Sequence, residues 1–205
     1  MNVKKLHYFS GLTITLFVAL HLFNHACSIL GADKHIEIMN MLRHFYRNIF
    51  AESVLMLAVV VQICSGLYLL KHFRKKASSP FDKLQVWSGL YLAIFLIIHV
   101  SAVVAGRLLL HLDTNFYFGV AGLNTFPFNL FFIPYYLLAI LSFFGHIAAV
   151  HSKKMKTDVL GITPKAQAKA ILLTGAIIAC LIFWGLTNQF QGVAIPGEYN
   201  ILIGK

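Results

Sequence analysis

Along this chain apolar residues come in long, almost unbroken blocks, with short polar stretches between them. Five blocks, roughly 8–30, 49–70, 86–110, 128–150 and 168–187, are each long enough to cross about 30 Å of hydrocarbon as a helix. Little chain is left between them, so the pattern predicts an all-α membrane protein of five transmembrane helices in a single domain, 1–205. The polar stretches differ in kind. Residues 71–85 and 151–169 are short and Lys-rich, as connections between neighbouring helices are. Residues 31–48 are amphipathic, with Ile36, Met39, Met41, Leu42 and Phe45 among charges, and predict a short interfacial helix. Residues 111–127, rich in Gly, Asn and aromatics, predict an irregular cap, and the tail 188–205 is expected on the outer surface.

Composition agrees: of 205 residues 59% are hydrophobic and only 12% charged, with mean hydropathy +0.75, outside the range of soluble domains. Charge sets the orientation. Twelve Lys and Arg residues flank one side of the predicted bundle (Lys4, Lys5, 71–83 and 153–169), and five, Lys34, Arg43, Arg47, Arg107 and Lys205, flank the other. The N-terminus is therefore expected in the cytoplasm and the C-terminus outside. The net charge of +10 is mainly this topology signal, together with a basic surface for anionic membrane lipid or an acidic partner; it does not suggest nucleic-acid binding. The first block is too long, and lacks the cleavage site, for a removable signal peptide. Cys27, Cys64 and Cys180 fall one per helix without CxxC spacing and read as buried thiols rather than a disulfide or zinc site.

An internal repeat is the most informative feature. "SGLTITLFVALHL" from Ser10 and "SGLYLAIFLIIHV" from Ser88 each place a histidine eleven residues after the serine, on helices that run the same way. Such repeats imply a pseudo-twofold axis along the membrane normal and a site between the halves, with four helices in the core and the fifth outside it. His21 lies sixteen residues past Lys5 and His99 sixteen past Lys83, so the two should stand level, about 24 Å from the cytoplasmic charges at 1.5 Å per residue. Gln62 and His146, counted back from Lys71 and Lys153, make a second layer nearer the cytoplasm.

A histidine inside a membrane is costly and is a functional candidate, although a single one can also serve helix packing. Two level imidazoles across a bundle are the usual means of holding a haem iron from both faces, a site that passes electrons and leaves no open position for substrate. Gly11, Gly66, Gly89 and Gly145 would let a flat macrocycle approach the backbone. Arg43, Arg47 and Arg107, with His25 and His44, are placed for haem propionates at the outer side; interfacial anchoring is the plainer role for each arginine.

The ordered set "KLHYFSGLTITLFVALHLFNH", "MNMLRHFYRNIFAES", "QICSGLYL" and "WSGLYLAIFLIIHV", followed by a histidine in the fourth helix, resembles the single-chain, five-helix cytochrome b membrane anchor of succinate dehydrogenase and fumarate reductase. The resemblance covers about residues 5 to 150. It implies two stacked b haems, each between two histidines, with His21 and His99 on the outer one. Gln62 stands where that family has the partner of His146, and a glutamine carbonyl is a poor iron ligand beside imidazole. One haem b is therefore expected, two at most, with the inner site empty, filled by side chains or adapted to quinone. The resemblance further implies residence in a bacterial cytoplasmic membrane. It implies a flavoprotein subunit and an iron–sulfur subunit docked on the basic face, with electrons passing between succinate or fumarate and a membrane quinone. Gln62, His146 and Ser65 on the inner side, and Glu52, His25 and His44 on the outer side, are candidate quinone or proton groups. Two rivals remain: a histidine-metal hydroxylase, suggested by the i, i+4 pair His21 and His25, and a haem-free transporter or structural subunit whose histidines relay protons or pack.

Overall fold

The computed structural model describes residues 2–205, and among them it is predominantly helical, with no extended strand. Seven α-helices follow one another: α1 Val3–Ala26, α2 Ala32–Tyr46, α3 Ile49–Phe73, α4 Pro80–Leu108, α5 Phe116–Val120, α6 Asn129–Lys154 and α7 Pro164–Leu186. α1, α3, α4, α6 and α7 are long and apolar enough to cross a membrane, and they match the five predicted blocks. Each runs several residues into the flanking polar sequence, because capping side chains lie outside the apolar block. Asn2, Asn48, Ser79 and Thr163 accept from backbone N–H groups of the first turns of α1, α3, α4 and α7, and Ser79 with Asp82 forms a reciprocal capping box. Inside hydrocarbon every backbone group must be satisfied within the segment, which a helix alone achieves.

α1 packs on α3, α3 on α4, and α4 on α6, while α7 runs along α6 and reaches α1 and the turn Cys27–Leu30. Four helices thus wall a central space, with α7 outside it except at one end, where Ile182 and Leu186 reach the lining. α1 pairs closely with α3, and α4 with α6. The outer surface of the ring is apolar, with Leu16, Phe23, Leu57, Leu130 and Leu173 all more than half exposed, as a lipid-facing surface requires.

Three expectations need correction. Cys64 and Cys180 are exposed on that surface and Cys27 is only half-buried, because helix faces turned to lipid accept a thiol as readily as the interior does. α2 forms as predicted, but its inward stripe is His35 and Met39 rather than Met41 and Phe45, which are 56% and 72% exposed. The 111–127 cap and the tail are also better packed than expected. Phe116, Val120 and Leu123 build a core with Ile140 of α6 and Ala179, Ile182 and Leu186 of α7. Tyr199 is fully buried, and its hydroxyl donates to the carbonyl of Asp113 at 3.0 Å, so the tail is tied into the cap instead of lying over it.

Candidate functional site

The four helices line a partly open cavity of about 1250 Å³, running from Lys4 and Lys154 at the lysine-rich end to Arg43, Arg47 and Arg107 at the other. It exceeds the usual span of small-molecule pockets, about 300–1,000 Å³. Two pairs of imidazoles cross it.

The outer pair is the predicted one. His21 on α1 and His99 on α4 face each other with ring centroids 6.1 Å apart and planes at 68°. Each is braced by a phenylalanine one turn earlier: Phe17 stacks on His21 at 5.7 Å and Phe95 on His99 at 5.0 Å. Phe17 and Phe95 occupy the same place in the two repeats, so the repeat encodes the brace as well as the imidazole. Nε2 of His21 lies 3.1 Å from Nε2 of His25, and Nδ1 of His25 lies 3.4 Å from Nε2 of His35. His35 also meets the Asn24 amide at 3.1 Å, while its Nδ1 and the Asn24 Oδ1 are buried without a partner. Burial, with the nearby Arg43 cation, holds the His35 imidazole down at about 4, so it is neutral near pH 7.

The inner layer contains a residue that pattern reading missed. His7 stands between Gln62 and His146. Its ring centroid is 6.5 Å from that of His146, with planes at 73°. Nε2 of His7 is 3.3 Å from Nε2 of Gln62, whose carbonyl accepts from the Ser10 hydroxyl at 2.6 Å. The Ser65 hydroxyl donates to the Val61 carbonyl at 2.5 Å, which leaves its oxygen to accept from Nδ1–H of His7 at 3.0 Å. Ser88 repeats this arrangement: it donates to the Leu84 carbonyl at 2.6 Å and lies 3.3 Å from Nδ1 of His146. Ser65 thus acts through His7 rather than from the cavity wall. A third Ser-Gly-Leu, Ser65–Leu67, is the signal that could have found this site.

Glycine at three of the four expected positions meets these side chains. A Cβ on Gly66 would sit 3.3 Å from Cε1 of His7, one on Gly89 would sit 3.0 Å from Cε1 of His146, and one on Gly11 would sit 3.3 Å from Gln62. Gly145 instead accommodates Leu84, an ordinary helix contact.

At the arginine end, Arg107 is ion-paired with Glu52, and Arg43 with Asp113 at 2.9 Å. Among the described residues Arg47 has no carboxylate partner. Burial, then repulsion from Arg43 and Arg107, lowers its pKa, so three cations share one rim with two carboxylates. His25 lines the cavity, whereas His44 is exposed and does not. His44 lies off the stripe that turns His35, Met39, Leu42 and Tyr46 inward, so the rim histidine of α2 is His35 and not His44. Glu52 is held by Arg107 at the wall. Among the described residues no group of three or more His, Cys, Asp and Glu side chains converges to hold a metal ion by itself. His21 and His99 face each other within an outer cluster that also holds His25 and His35, with His21 and His25 centroids 4.4 Å apart, while His7 and His146 form a separate pair.

No family model, curated protein or solved structure matches the chain.

Proposed function

We propose that this chain is a haem b-containing membrane anchor. In this reading it passes electrons between an iron–sulfur/flavoprotein dicarboxylate oxidoreductase, docked on the lysine-rich face, and a quinone in the membrane. The observation that carries the reading is the outer imidazole pair across a large, partly open cavity. Two imidazoles bound through Nε2 to one metal, at about 2 Å per bond, hold their ring centroids roughly 6 Å apart; His21 and His99 are 6.1 Å apart. Ligation through Nε2 of His21 would replace its present contact with His25. The phenylalanine stacked on each ring fixes its orientation, the role that supporting groups play around metal-bound histidine.

The remaining residues fit the same group. Arg47, with Arg43 and Arg107 beside it, supplies positive charge at one end of the cavity for carboxylate side arms. His25 and the Asn24–His35 pair, with its unpartnered Nδ1 and Oδ1, offer neutral hydrogen-bonding groups there. When bound, a bis-imidazole haem exchanges single electrons and takes no further ligand. The chain's own residues orient the rings, exclude water through the apolar lining and balance charge at the rim. Lys75, Lys76, Lys154 and Lys156, all exposed at the opposite end, make a surface suited to an acidic electron-donor subunit.

A haem-free proton relay is the second reading, favoured by the contacts that run from His21 through His25 to His35. Absorption spectroscopy of the purified chain separates the two. A reduced-minus-oxidised spectrum of low-spin b type, diminished by one haem equivalent in His99→Ala, supports the anchor. A chain without haem after expression with ample haem supply favours the relay.

A further inference from the structure

The haem reading of the outer pair leaves the inner imidazoles without a role. We propose that His7 and His146 are the axial ligands of a second haem, so that His7, from the first turns of α1, supplies the imidazole that Gln62 lacks. The proposal rests on the haem reading and extends it to the inner level of the same cavity.

Four observations converge. The inner pair reproduces the outer one in separation and in mutual tilt, 6.5 Å and 73° against 6.1 Å and 68°. Both inner rings have Nδ1 engaged by a serine hydroxyl whose own proton is committed to a backbone carbonyl. That fixes the proton on Nδ1 and leaves the Nε2 lone pair directed away from the serine, the arrangement in which an outer hydrogen bond prepares a histidine for metal. Each serine is followed by a glycine against which the ring rests, so the two cradles, Ser65-Gly66 for His7 and Ser88-Gly89 for His146, are built alike. Finally, His7 and His21 are fourteen residues apart on α1, about four turns and roughly 21 Å at 1.5 Å per residue. They therefore share one face of the helix and line one cavity at separate levels.

Gln62 does not compete for this role. Its carbonyl is taken by Ser10, and its amide makes only a long, neutral contact to Nε2 of His7, which ligation would displace. A residue kept near the charged end solely as an interfacial anchor would turn toward the headgroups; His7 turns inward and is held there.

The test is the haem count of the full chain, purified after expression with ample haem, together with electron paramagnetic resonance of the oxidised protein. Two haems per chain are expected, with two low-spin signals. His7→Ala and His146→Ala should each lower the count from two to one and remove the same signal, leaving the signal lost in His99→Ala intact. Gln62→Ala should retain two. His7→Met keeps a ligand in place and should retain two haems while shifting one spectrum only, which separates ligation from a folding defect. A single haem that His99→Ala removes and His7→Ala leaves unchanged overturns the inner pair and spares the outer one. No haem at all overturns both.

Discussion

Arg47 sits at the cavity rim with two arginines near it and no carboxylate of its own. Three positive groups against Glu52 and Asp113 favour whatever adds negative charge nearby. For a haem held by His21 and His99 that is the reduced state, so Arg47→Gln should lower the midpoint potential of the outer haem and leave the inner one little changed. Redox titration checks this; an unchanged outer potential would mean that Arg47 only anchors the interface. His35 makes a second prediction at this scale. It is 1% exposed and meets His25 and Asn24 of α1, Phe116 of α5 and Arg43 of its own helix, Arg43 itself being paired with Asp113. In the unfolded chain its imidazole takes a proton near pH 6.5, in the folded one only at about 4. The unfolded state therefore binds more protons between these values. The His35 contribution is complete above about 6.5 and is lost progressively as pH falls toward 4. Melting temperature followed from pH 7 to 4 should fall less steeply in His35→Phe; equal slopes would contradict the assignment. The residues that pattern reading found and missed differ for a physical reason. His21 and His99 stand in apolar runs, where a polar side chain is conspicuous, and a repeat pairs them. His7 follows Lys4 and Lys5, and His35 lies among Asp33, Lys34 and Glu37, where a histidine looks like one more solvated group. Only the tertiary contacts turn them inward.

Among the elements, the five spanning helices were legible because hydrocarbon leaves a long apolar run no alternative to a helix. Their ends were not, since caps such as Ser79 lie in polar sequence. The packing of α7 was legible only in part. It runs along α6 and gives Ala179, Ile182 and Leu186 to a buried cluster with α5 and α6, and its far end is keyed to the turn after α1. Gly185 is the key: a Cβ there would meet the backbone of that turn, with the nitrogen of Ile29 only 2.6 Å away. Gly185→Ala should destabilise the protein by about 1–3 kcal/mol, the usual cost of overpacking a close contact, read as a lower unfolding temperature in detergent. Gly197→Ala, where a Cβ meets nothing within 4 Å, is the control. The amphipathic pattern of 31–48 foretold α2 but not its rotation. Met41 and Phe45 were apolar enough to face inward, yet His35 and Met39 are the buried residues, with Ala32 and Ile36 packed on the core of α5, α6 and α7.

For the whole molecule, the sequence repeat pointed to a site shared between helices, and a cavity of about 1250 Å³ is lined by residues of α1, α3, α4 and α6 together. What the repeat could not convey is that the second imidazole pair breaks the symmetry. Ser10-Gly11 and Ser88-Gly89 are equivalent cradles, but one holds Gln62 and the other His146. The missing imidazole arrives from α1 instead. A bundle with so large a central space loses packing contacts along its length, and a ligand that fills it binds the folded state alone. At a free concentration 100 times its dissociation constant, such a ligand adds about 2.7 kcal/mol. Haem-depleted protein should therefore melt at a lower temperature than haem-loaded protein, and His99→Ala should narrow the difference; equal melting temperatures would argue against a haem in the cavity. The most direct measurement of the central claim is haem content per chain with a reduced-minus-oxidised spectrum, on the wild type and on His99→Ala. The account predicts low-spin b-type haem in the wild type and loss of one equivalent in the variant. A haem-free wild type, or a variant with an undiminished low-spin spectrum, would contradict it.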